Sequence, residues 1–165
     1  MNAAQPIPPE LFETLERQTV HSEQLLAVLE EELQVLTRMD IQELIGLTRR
    51  KESLLKRLQL LDSSFEEIAR GCCPGVPGPV SLKEIIARSL PEEASRLEGH
   101  RVRLVALRHK IQDRNLVNKQ LAGDILGFLS DAISLITGPP PPAAYGTRGM
   151  VRPPARPPVF ISRGI

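Results

Sequence analysis

The sequence predicts an all-α fold: an antiparallel hairpin of two long helices with a third long helix beside it, plus a short extra helix and a disordered C-terminal tail. Three observations predict it. Apolar residues recur at alternating steps of three and four over most of the chain, which is the period of helices packed along a seam. Aromatics are 3% of the 165 residues, with no Trp and one Tyr, so the interior must be aliphatic and Leu-rich, as in helix-on-helix packing. Glycines and prolines gather at a few boundaries, leaving long uninterrupted runs between them. We divide the chain into a helical domain, residues 1–138, and a Pro/Arg-rich tail, residues 139–165.

Residues 1–8 read as an irregular leader without a signal-peptide pattern. Pro9 suits the first turn of a helix, where its missing N–H is no loss, and Glu10, Glu13 and Glu16 favour the positive end of the helix dipole. Leu11, Leu15, Gln18, Ser22, Leu25, Leu29, Glu32 and Leu36 then keep helical spacing to about Met39. Asp40 followed by Glu43 resembles a capping box and marks a turn. The second helix carries the cleanest seam: Leu44, Leu47, Lys51, Leu54, Leu58, Leu61, Phe65 and Ile68. Lys51 is its one charged residue, read as a register-setting position whose ammonium snorkels to water. The short link at Asp40 makes these two helices an antiparallel hairpin.

Gly71 to Pro79 reads as a loop. Ser81 and Glu84 form an S-x-x-E capping box that opens a short helix with Leu82, Ile85 and Ile86 on one face. Pro91 starts the last helix, which runs to Gly138 and is expected to match the length of the hairpin beside it. Its end is unusually apolar. On a wheel, residues 117–136 spread apolar side chains over roughly 180°, against little more than about 100° for a helix facing one core. Ile125, Leu129 and Ile136 are expected to face the hairpin, which leaves a surplus. Asn118 lies near the centre of the stripe and Asn115 on its flank. One reading makes Asn118 a buried, register-fixing amide; the other offers both amides to a partner segment.

The net charge of +1 argues against a nucleic-acid-binding domain. Residues 1–40 sum to −6, and this acidic helix is expected to pair with the basic stretch from Arg96 to Lys119 if the two are neighbours. No apolar run approaches the ~20 residues of a membrane span, so the reading is a cytoplasmic protein with no membrane insertion. Cys72 and Cys73 are adjacent and read as reduced thiols. No nucleotide, metalloprotease or hydrolase motif is present, and His21, His100 and His109 are scattered. Neither catalysis nor a cofactor is expected. The tail holds eight prolines, four arginines and no acid. It contains Tyr145, an apolar run at Val159, Phe160 and Ile161, and an Arg152–Pro158 segment of the kind SH3 domains bind.

In their order, these features resemble the FlgN family of flagellar export chaperones. The resemblance rests on the Leu-rich acidic helix, the turn at Asp40 and K-x-x-L-L at Lys51 to Leu55. It continues in Asn115 and Asn118 ahead of an apolar helix end, and in Tyr145-Gly-Thr-Arg-Gly149. It covers roughly Leu11 to Gly149. It implies a cytoplasmic chaperone of type III export that binds C-terminal segments of hook-filament junction proteins and presents them to the export gate, the tail with Tyr145 making the second contact. The expected client-binding positions are Asn115, Val117, Asn118, Leu121, Ile125, Phe128 and Leu135. Such a chain is a monomer or a homodimer. The alternative from another class is a homodimeric coiled-coil adaptor that uses the surplus face to pair with itself.

Overall fold

The computed structural model describes residues 6–138. The expected tail, with Tyr145, lies outside the described residues. Four helices form in the predicted order: α1 (Pro9–Arg38), α2 (Ile41–Cys72), α3 (Leu82–Ile86) and α4 (Pro91–Thr137). Among the described residues there is no strand.

The boundaries follow from local chemistry. Pro9 and Pro91 both occupy the first turn of their helices. At the end of α1, Met39 takes a left-handed conformation with φ 55. Its N–H donates to Leu36 O at 3.1 Å and the N–H of Asp40 to Val35 O at 3.3 Å, the paired bonds of a Schellman ending. Asp40 then caps α2 by accepting from the Glu43 N–H at 3.0 Å. The helix end and the next helix start share one residue pair, which makes the turn tight. α2 continues through Gly71 to Cys72, one turn's edge past the expected boundary, and the Cys73 N–H closes it on Ala69 O at 3.1 Å; Pro74, with no N–H, cannot extend it. The Ser81 box is complete in both directions: the Glu84 N–H donates to Ser81 Oγ at 3.3 Å and the Ser81 N–H to Glu84 Oε2 at 2.7 Å.

α1 is the central helix. It packs on α2 along one side and on α4 along the other, holding those two apart. α2 runs antiparallel to α1, as Gln18 bonds Asp62 and Glu32 bonds Lys51. α4 runs parallel to α1: the Ile7 N–H donates to Glu93 Oε1 near the start of both, Glu23 pairs with Arg103 at 2.6 Å, and Asn118 reaches Leu29 and Glu32. The acidic first helix and the basic stretch of the last are thus neighbours, which meets the condition for their pairing, and Arg103 and Arg114 pair with Glu23 and Glu30.

Two apolar clusters fill the bundle. The first lies at the α3 end, where Leu11, Leu15, Phe65, Ala69, Leu82, Ile85, Leu97 and Leu104 meet. The second lies toward the Met39 turn and joins Leu25, Val28, Leu29, Val35, Leu47 and Leu54.

Two expectations are corrected here: α4, at 47 residues against 30 and 32 in α1 and α2, does not match the hairpin in length, and its end does not face the hairpin. Because Asn118 sits beside Glu32, the end of α1 at Arg38 is level with about residue 124, and α4 projects about 13 residues, ~20 Å, past the hairpin. The hairpin ends before it can cover that stretch. Leu129 and Ile136, expected to face it, are 42% and 85% exposed, and Ile125 is only half-buried.

Candidate functional site

Where α4 leaves the bundle, three helices meet in a polar layer. Glu32 of α1 is buried, and its Oε1 accepts from Lys51 Nζ of α2 while its Oε2 accepts from Asn118 Nδ2 of α4 at 2.8 Å. The same Asn118 nitrogen donates to Leu29 O at 2.8 Å. Lys51 therefore does not send its ammonium to water; a buried carboxylate draws it inward. Asn118 is 3% exposed, so it belongs to the interior and fixes the register of α4 on α1. Its Oδ1 is buried without a partner among the described residues. The sequence places all three residues on their helical seams, but only the pairing of helices shows that they converge on Glu32.

Beyond this layer α4 is bare. Leu126, Phe128, Ile133 and Leu135 are exposed, Phe128 at 67% and Leu135 at 88%, and Leu121 and Ile125 are half-buried where the hairpin ends. Val117 is exposed at the outer edge of the same helix. Of the candidate partner residues, Val117, Leu121, Ile125, Phe128 and Leu135 thus lie on or beside one uncovered apolar end, whereas Asn118 is committed to the core. Tyr145 falls outside the described residues. A soluble monomer rarely leaves a contiguous apolar run of this kind without a use for it.

A second surface was not foreseen. Since α1 holds α2 and α4 apart, a cleft of about 260 Å³ opens between them with α1 as its floor. Leu25 and Leu29 form that floor, Leu55 and Leu58 one wall, and Leu104 and Ile111 the other. Lys51, Asp62, Arg108 and Asn115 stand around it. Asn115 is therefore at the cleft, about 160° around α4 from Val117, and the two candidates do not share a surface. The sequence signal for the cleft is Leu55, an apolar residue one step outside the α2 seam. Burial pushes the Asp62 carboxyl up from its ordinary value of 3.8, with Glu66 adding to the effect, while the Gln18 hydrogen bond and the Arg108 charge oppose it.

Among the described residues the histidines stay apart from these surfaces. His21 pairs locally with Gln24 at 2.9 Å, and His100 lies 3.9 Å from Glu16. Among the described residues no group of three or more His, Cys, Asp or Glu is placed to hold a metal ion, and no helix is long and apolar enough to cross a membrane.

The architecture defines a class: a helical bundle whose longest helix leaves the core with apolar side chains exposed. The model of the FlgN protein family matches residues 7–153, and the chain belongs to that family of flagellar export chaperones. No curated protein and no solved structure matches it. The family match takes in every described helix and Tyr145, and stops short of Val159.

Proposed function

We propose that this chain captures the C-terminal amphipathic segments of hook-filament junction proteins in the cytoplasm and delivers them to the type III export gate. The observation that carries the reading is the bare end of α4. A client helix laid against Leu121, Ile125, Phe128 and Leu135 buries apolar surface on both partners, the helix-in-groove mode of recognition. Val117 extends this contact along the edge, and Asn115 offers an amide at the neighbouring cleft. Asn118 contributes indirectly by holding α4 in register. In this division residues 1–138 bind the client and residues 139–165 make a separate, weaker contact with the gate through Tyr145.

Calorimetric titration with purified junction-protein C-terminal segments tests the first part. Phe128→Glu is expected to weaken binding about tenfold or more, the loss of one well-placed apolar anchor, while helicity stays that of the unmodified chain. Unchanged affinity sinks the assignment of this face. Tyr145→Ala is expected to leave client affinity alone and to lower affinity for the gate's cytoplasmic domain; equal gate affinity removes the second part. Sedimentation at micromolar concentration separates this reading from the adaptor alternative, since a stable dimer that hides the α4 end is the adaptor's signature.

A further inference from the structure

The bare end of α4 and the sequence that follows it are complementary in two respects. Positions 123–138 carry Asp124 and Asp131 and no cation, whereas residues 139–165 carry Arg148, Arg152, Arg156 and Arg163 and no acid. The helix end is apolar and uncovered, and the following segment holds its own apolar run, Val159 to Ile161. We infer that this run docks on the α4 end of its own chain when no client is bound, with Phe160 against exposed Phe128 and Leu135, which share one face of the helix with Asp124 and Asp131, and the flanking arginines near those two carboxylates. The inference rests on the reading of this face as the client surface and adds to it a competitor built into the chain.

Reach permits the contact. The residues between Gly138 and Val159 span up to about 60 Å even at the ~3.1 Å rise of a proline-rich chain, and the bare end of α4 is ~20 Å long. Two other pairings are less favourable. The cleft between α2 and α4 offers an arginine-flanked segment one carboxylate, Asp62, which stands with Arg108 and Lys51, whereas the α4 end offers two carboxylates and no cation. A second copy of the α4 end would bring two more carboxylates and no cation to the contact. A tethered segment also acts at an effective concentration on the order of mM, well above that of a partner chain at micromolar levels. The apolar run lies beyond the family match, which ends at residue 153.

Hydrogen exchange on the full chain without client tests the inference. One variant combines Val159→Asp, Phe160→Asp and Ile161→Asp; another combines Arg152→Glu, Arg156→Glu and Arg163→Glu. Neither alters α4, and the amides of the bundle core serve as the internal reference. The expected result is that amides in 126–136 exchange about threefold or more slowly in the unmodified chain than in either variant, and that this protection is unchanged on tenfold dilution. Equal exchange in all three chains overturns the inference. Protection that fades on dilution also overturns it, in favour of a second copy. Because no client is present, failure here leaves client capture standing, and failure of the client titration leaves this measurement readable.

Discussion

Glu32 is the residue through which the three long helices speak to one another, and its neighbours show what a single side chain holds. Asn118→Ala removes the amide that satisfies both Glu32 and the Leu29 carbonyl. It is expected to destabilise the bundle by about 1–3 kcal/mol, the usual loss when buried acceptors are stranded, read as a lower urea midpoint with an unchanged slope. Asp62 supplies a pH-dependent counterpart. Burial raises its carboxyl above the ordinary 3.8, so the folded chain holds that proton more tightly than the unfolded chain does. Stability from this group is therefore present below the unfolded value and is lost as pH rises through the folded one. Asp62→Asn keeps an oxygen to accept from Gln18 and removes the titration. Its stability relative to the parent is expected to be more favourable at about pH 7 than at about pH 3, measured by urea unfolding at both. Both Lys51 and Asn118 were legible as polar positions in apolar seams. That they share one carboxylate was not, because periodicity describes one helix at a time and says nothing about which levels of two helices meet.

At the scale of the element, α4 is two different helices in one. Its first part is packed: Leu104 is 4% exposed between α1 and the α3 cluster, and Leu104→Ala is expected to cost about 2–4 kcal/mol through lost burial and the cavity left behind. Its last part is mostly exposed, Leu129 included, so Leu129→Asp is expected to change thermal stability by less than about 0.5 kcal/mol, as exposed substitutions do. Thermal melts of the two variants side by side check the contrast; equal losses would mean that the end of α4 is packed after all. The excess width of the apolar stripe was readable from the sequence, and so was its position. The assignment of Ile125, Leu129 and Ile136 to the hairpin failed for want of one fact, the level at which α1 stops beside α4. That level is set by the Asn118 to Glu32 bond and by the Schellman turn at Met39, neither of which a wheel displays.

In the molecule as a whole, α1 is the common partner of α2 and α4, and this arrangement explains both surfaces. Fold class and element order followed from spacing, capping boxes and proline placement, all of them local. The cleft did not, since it exists only because α2 and α4 choose the same central partner and leave the space between themselves unfilled. The two surfaces differ in how prepared they are. The cleft is held open at both ends, by the Lys51, Glu32 and Asn118 layer on one side and by the α3 cluster on the other. A guest there meets walls already in place. The end of α4 has no such support, and Gly123 and Gly127 lie within it where a side chain would meet nothing, each weakening the helix by about 1 kcal/mol relative to Ala. Binding on that end must therefore steady the helix as well as cover it, and its heat-capacity change is that of folding and docking together. Under the proposed capture, a client gripped this way exchanges some affinity for ease of release, a useful property where cargo must be let go.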